Sequence, residues 1–97
     1  MLESGLKKAF KADVKRRLPH VKMYEPKTHS RSAPDLIILG PAAIWWAGEF
    51  KRDRDSDEQP NQDYTIDQLN EMGYAEFVYP DNAEEVLNGL EDLFPPF

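Results

Sequence analysis

Three side chains near the middle of the chain have types and spacing suited to phosphate chemistry: Asp35, Glu49 and Lys51. Glu49 and Lys51 stand two apart in an apolar stretch, residues 43–51, that reads as a strand, and side chains two apart in a strand share a face. Residues 35–39, Asp-Leu-Ile-Ile-Leu, read as a second strand, joined to the first through Gly40-Pro41. If the two pair antiparallel across that tight connection, the start of one lies opposite the end of the other, and Asp35 comes near Glu49 and Lys51. Two carboxylates held together repel each other unless a cation lies between them, and a hard divalent ion such as Mg2+ prefers such oxygen ligands. A lysine beside that ion can orient or deprotonate a water, or steady the charge of a phosphoryl transition state. Together these groups make a phosphodiester-hydrolysing site.

Each group also has an ordinary reading. An Asp after a proline is commonly a turn or cap residue, and Glu and Lys at i and i+2 are often an ion pair on a solvent edge. Ile44-Trp45-Trp46-Ala47, just ahead of Glu49, marks a buried strand instead. Charges placed there without a task are costly.

The elements that must position the three residues follow from periodicity. Leu2, Leu6, Phe10, Val14 and Leu18 recur every four residues, the stripe of a helix that Pro19 stops, and Lys7, Lys8, Lys11, Lys15, Arg16 and Arg17 crowd its remaining surface. Residues 21–25 suit a short strand and 26–32 a polar, basic loop containing Lys27, His29 and Arg31. Along 43–51, Trp45, Ala47, Glu49 and Lys51 project one way and Ile44, Trp46, Gly48 and Phe50 the other. Residues 52–59 form a charged loop without an apolar anchor. Pro60 opens a helix whose inward row is Gln62, Ile66, Leu69 and Gly73. Residues 75–79 read as a fourth strand closed by Pro80. Asn82 suits the cap of a last helix, with Glu85 three residues on, before the stripe Val86, Leu87, Leu90, Leu93 and Phe94 and the stop at Pro95-Pro96. The order αβββαβα predicts an α/β domain with a mixed sheet flanked by helices.

A chain of 97 residues supports one modest core, so residues 1–97 are expected to form a single domain. Cysteine is absent, which excludes disulfides and thiolate zinc sites and suits a reducing cytosol. No signal peptide or membrane span is expected, because the longest apolar run is interrupted by Gly40-Pro41. The formal charge of −6 conceals a division: residues 1–54 hold all 12 Lys and Arg and carry +6, whereas residues 55–97 carry −12. The basic half can attract phosphate while the acidic half keeps the molecule dissolved, since the local field governs binding. Lys7, Lys8, Lys11, Lys27, His29 and Arg31 are the candidate nucleic-acid contacts; the bland alternative is that both halves are solvated faces. His20 and His29 lack metal-ligand spacing, and Trp45 and Trp46 suit core or interface packing better than base stacking.

Pro34-Asp35 followed after 13 residues by Glu49-Phe50-Lys51 resembles the PD…ExK signature of the PD-(D/E)XK nucleases. Further residues are similar to one family within it, the VRR-NUC or virus-type replication and repair nuclease domain: Glu3 near the start of the first helix, Gln62 at the opening of the helix after the ExK strand, and Gly73 eleven residues later. Gln59 lies nearby, but Gln62 has the spacing to Gly73 and the inward phase. The resemblance covers roughly residues 3–79, with one departure: the family usually has glycine two positions before the Asp, where this chain has Ser32-Ala33-Pro34-Asp35. It implies a restriction-endonuclease-like αβββαβ core, here with an added C-terminal helix, and endonucleolytic hydrolysis of DNA. It further implies Mg2+ or Mn2+ held by Glu3, Asp35, Glu49 and the Phe50 carbonyl, with Lys51 assisting the attacking water and Gln62 supporting the site. Glu3 reads equally well as a first-turn acid favoured by the helix dipole, and Gln62 is as evenly balanced.

The same resemblance implies four-way DNA junctions as substrate, a homodimer as the working form, and the cytoplasm of a bacterial host if the chain is phage-encoded. Size and geometry also favour a dimer, since opposed incisions need two sites and a small core gains from an interface. Trp45-Trp46, Leu90, Leu93, Phe94 and Phe97 are the expected interface. The competing class is a non-catalytic interaction protein, with residues 55–97 acting as an acidic DNA mimic or partner surface.

Overall fold

The computed structural model describes residues 3–27, 33–52 and 60–96, with the backbone alone at Glu3 and at residues 60–65. Helix α1 (Glu3–Arg17) leads into strand β1 (Lys22–Tyr24), then β2 (Leu36–Leu39), β3 (Trp45–Phe50), helix α2 (Pro60–Met72), β4 (Tyr74–Val78) and helix α3 (Ala83–Leu93). The sheet order is β1-β2-β3-β4. The first two pairings are antiparallel and β3 with β4 is parallel, so α2 is the crossover that a parallel pair requires. The expected α/β order and mixed sheet are both present. Element ends differ by a residue or two: Asp35 precedes β2, Ala43 belongs to the turn before β3, and Lys51 follows β3.

Alternation along β3 sets the layers. Trp46 and Phe50 join Leu36, Ile38 and Val78 on the face that meets Leu6, Phe10 and Val14 of α1 and Val86, Leu87 and Leu90 of α3. Phe10 binds the two aromatics together, stacked on Trp46 with centroids 5.7 Å apart and edge-on to Phe50 at 5.2 Å. Such pairs add about 0.5–1.5 kcal/mol each beyond their burial. Ala47 faces the other way with Ala75 and Ile66 under α2, flanked by Ile37, Trp45, Leu69 and Phe77. The ring of Trp45 lies so close over Gly73 that a Cβ there would run into it. This close approach explains the glycine at the end of the inward row of α2.

Two expectations are corrected. Trp46, Leu90 and Phe94 are buried inside the domain, because α3 folds its apolar stripe onto the sheet, and they offer nothing to a partner. Trp45 and Leu93 are half-buried, whereas Phe97, His29, Arg31 and residues 53–59 lie outside the described residues. Asn82 does precede α3, and its carbonyl accepts the Val86 amide, but its side chain makes no cap. Asn82 Oδ1 accepts the Tyr79 amide at 2.7 Å and Nδ2 donates to the Phe77 carbonyl at 3.1 Å. The side chain thus serves the outer margin of β4, which has no strand neighbour among the described residues, and Asn70 Oδ1 does the same for the Ala75 amide at 3.3 Å.

The β2–β3 hairpin turns at Pro41–Ile44, where the Ile44 amide donates to the Pro41 carbonyl at 3.4 Å. Ala42 and Ala43, the central residues, have φ of 63° and 61°. Two positive φ values in succession define a type I′ turn, whose twist matches the flanking strands and whose usual residues are Asn-Gly. Alanine tolerates this region poorly, at a cost of about 1–2 kcal/mol per residue. Replacing Ala42-Ala43 by Asn-Gly is therefore expected to raise stability by roughly 1 kcal/mol, after the larger unfolded-state entropy of glycine is deducted. Urea midpoints of the two proteins measure this, and no increase would mean that the alanines are unstrained.

Glu25, just beyond β1, accepts Lys11 Nζ at 2.7 Å and Lys7 Nζ at 2.9 Å. The two ammonium groups, Lys11 foremost, hold its carboxyl well below the ordinary range, at about 2. Farther along α1, Arg17 binds Glu84 and Glu91 of α3 at 2.6 and 3.2 Å. Because the Glu25 proton is bound more weakly in the folded chain, its contribution is complete above the ordinary carboxyl range and is lost as pH falls toward 2. The group is 42% exposed, so water screens the gain and keeps it small. Glu25→Gln should lower the urea midpoint near neutral pH, with the gap to wild type closing as the solution is acidified through pH 4.5 toward 2. A gap independent of pH would exclude the charge as its cause.

Candidate active site

Asp35 stands one residue before β2 and is fixed by both main chain and side chain. Its amide donates to the Gly48 carbonyl at 3.0 Å, and its Oδ2 accepts the Phe50 amide at 2.9 Å. Phe50 is the residue between Glu49 and Lys51, so the hydrogen bond draws the first carboxylate against the strand segment that carries the other two groups. The hairpin geometry expected from Gly40-Pro41 therefore delivers Asp35 to the end of β3.

Glu49 pairs in register with Phe77 of β4, and the Lys51 amide donates to the Val78 carbonyl at 2.9 Å, extending the parallel pairing past the end of β3. Lys51 Nζ lies 5.9 Å from the centre of the Phe77 ring. A cation over an aromatic face gains on the order of 1 kcal/mol, and the ring gives the ammonium a floor without neutralising it. Glu49 is 3% exposed and Lys51 5%. Among the described residues, no buried side-chain polar atom lacks a hydrogen-bond partner. Gly48, between the two faces, has no room for a side chain, since a Cβ would meet the Trp46 ring.

The start of α1 lies at this end of the sheet. Tyr24 pairs with Ile37, so Glu25 sits where β2 begins, and Lys7 and Lys11 hold it there. Glu3, the first residue of α1, and Gln62, in the first turn of α2, are described by their backbone alone. Of the expected nucleic-acid contacts, Lys7 and Lys11 share Glu25, while Lys8 and Lys27 are exposed.

The donors fit a hard ion. Among the described residues no group of three or more His, Asp or Glu side chains could hold a metal. Mg2+ needs fewer, being held by one or two carboxylates with waters and substrate phosphate oxygens completing the shell. Asp35, Glu49 and a backbone carbonyl are such a set, and the absence of cysteine removes the thiolates that zinc favours. Two residues at this end of the sheet were not singled out from the sequence. Phe77 requires knowing that β4 pairs parallel to β3 in one register, which no local pattern encodes. Glu25 is one of few acids in a basic stretch, a signal that could have marked it as the partner of lysines on α1.

No protein-family model and no curated protein matches the chain. Solved structures do. One, a "VRR_NUC domain", is 18% identical and covers 91% of this chain and 97% of its own length with a TM-score of 0.65. Another, a "VRR_NUC domain protein", is 22% identical and covers 96% of this chain and 90% of its own length with a TM-score of 0.72. No helix among the described residues is long and apolar enough to cross a membrane. The αβββαβ core, the mixed sheet with β3 and β4 parallel and the agreement over nearly the full length of both chains show that this protein has the fold of VRR_NUC domains.

Proposed function

We propose that the chain is a divalent-metal-dependent endonuclease that hydrolyses DNA phosphodiesters, with Asp35, Glu49 and Lys51 as its catalytic residues. The observation that carries this reading is the Asp35 carboxylate bound to the Phe50 amide, between a glutamate and a lysine that are both nearly out of water. An ion pair kept only for stability gains little from such burial, so the cost points to chemistry. The fold shared with VRR_NUC domains supports the same class.

Asp35 and Glu49, with the Phe50 carbonyl, would hold Mg2+ or Mn2+, and Glu3 and Gln62 belong to the same proposal from their helix starts. What a divalent ion supplies there is polarisation of the scissile phosphate and of a bound water. Lys51, steadied above Phe77, orients the attacking water and offsets the charge gathering on the phosphate oxygens. Burial strengthens that interaction, because the low local dielectric leaves it unscreened. Lys8 and Lys27, both exposed, contact the DNA backbone away from the cut. The substrate within this reading is a four-way junction and the working form a two-fold dimer.

Lys51→Ala should reduce cleavage by ~10²–10³ and leave calorimetric Mn2+ binding nearly intact. Asp35→Ala and Glu49→Ala should weaken both, and EDTA should stop the wild type. Full cleavage by Lys51→Ala would remove the mechanism; complex formation without metal-dependent cleavage would favour the acidic interaction protein. For the substrate, incisions counted on a synthetic mobile junction should come in symmetric pairs, and light scattering at micromolar concentration should give twice the chain mass. A monomer that nicks plain duplex as readily as junctions would sink the junction and dimer assignments while leaving the catalytic residues in place.

A further inference from the structure

Lys7 and Lys11 stand four residues apart on α1, one turn along the same face, so their side chains are neighbours. Both reach Glu25, each at its own oxygen: Lys7 Nζ lies 2.9 Å from Oε1 and Lys11 Nζ 2.7 Å from Oε2. Two ammonium groups against one carboxylate leave the cluster with a net positive charge. The clasp between α1 and α3 has the opposite count, one Arg17 guanidinium, 17% exposed, between the two acids Glu84 and Glu91. There the cation is enclosed and two helices are tied together. Here the lysines are 29% and 32% exposed and the carboxylate 42%. Strand β1 ends at Tyr24, opposite Ile37, so Glu25 lies past the last pair of the ladder and its side chain can leave the lysines without breaking the sheet.

We propose that Lys7 and Lys11 form a seat for one backbone phosphate of the DNA, that the Glu25 carboxylate fills this seat in the free protein, and that bound DNA displaces it. The proposal rests on the reading of the chain as a DNA-hydrolysing enzyme and adds a point of contact outside Asp35, Glu49 and Lys51. A carboxylate bridging two ammonium groups through both its oxygens is the arrangement a phosphate would take between the same groups. Exposed ion pairs hold weakly, so a strand that brings many charges can outcompete one acid. Lys8, next to Lys7, and Lys27, two residues after Glu25, are exposed on either side and extend the path of positive charge. The seat also lies within reach of the cut. Strand β1 is two strand spacings from β3, about 10 Å, and a DNA strand carries one charge per ~3.4 Å of duplex axis, so a phosphate a few nucleotides from the scissile one meets the two lysines.

The test is equilibrium binding of a short DNA duplex in EDTA, where nothing is cut, over a range of salt. Glu25→Gln and Glu25→Ala should each bind roughly three- to tenfold more tightly than wild type, the competitor being gone. Their salt slope should match that of wild type, because the same phosphate is seated in each. Replacing Lys7 and Lys11 together by Gln should flatten the slope by roughly 0.9 and abolish the gain that Glu25→Gln brings. Asp13→Asn, which removes an acid paired with Arg16 on the same helix, should gain far less. No gain by either Glu25 variant would overturn the proposal. So would a gain that persists without the two lysines or that Asp13→Asn equals, since Glu25 would then act only as one more negative charge. A slope steeper by roughly 0.9 in Glu25→Gln would overturn it as well, because wild type would then exclude the phosphate instead of admitting it. The expected Glu25 effect without cleavage in Mg2+ would uphold the seat and remove the catalytic reading; cleavage without the Glu25 effect would do the reverse.

Discussion

Because β3 is hydrogen-bonded along both edges and packed on both faces, each of its side chains has a single place to go, and the rest of the domain is arranged around that restriction. Trp46 and Phe50 fill the interior under α1 and α3, and their size fixes the seat of both helices. The intervening residues turn the opposite way, toward α2, and near the end of the strand that direction carries ionisable groups. A one-residue slip in pairing would exchange the two sets and place Glu49 against the aromatic core. The register that stabilises the domain is therefore also the register that brings Glu49 and Lys51 to one face.

Charge is distributed to match. Four acids of the second half of the sequence, Glu84, Glu85, Glu91 and Asp92, are turned outward on α3, where Glu84 and Glu91 engage Arg17 and help hold α1 in place. The first half of α1 gives two of its lysines to Glu25, so part of the basic excess read from the sequence is spent within the fold. What remains for a polyanion among the described residues is narrower than the sequence tally suggested, and it lies on exposed side chains such as Lys8, Lys22 and Lys27. A polyanion that approached Lys7 and Lys11 would have to compete with a carboxylate already seated between them.

Much of this was legible beforehand because it depends on period and punctuation. The four-residue repeat of α1, the alternation of β3 and the hairpin that returns Asp35 to Phe50 all follow from residues close in sequence. Features that join distant residues were not legible. The parallel register that sets Phe77 beneath Lys51 depends on how α2 crosses over, and the burial of Phe94 depends on where α3 lands. Asn82 misled for a different reason: its type and position fit a cap, but the Tyr79 amide and the Phe77 carbonyl lay within reach and captured its amide. Ala42 and Ala43 carry no turn signal at all, and their left-handed geometry is imposed by the strands they connect.

The amides of Asn70 and Asn82 have a consequence for the protein in concentrated solution. An open sheet margin is a template on which any extended chain can add, and this is how aggregates begin. Along β4 the Ala75 and Tyr79 amides and the Phe77 carbonyl are already occupied by side chains of the same molecule. An incoming strand would meet an asparagine amide at three of the backbone groups it would pair with. The opposite margin, β1, is three residues long, too short to seed a stable stack. The domain thus carries a terminator at one side of its sheet and a stub at the other, a form of colloidal protection that net charge alone would not provide.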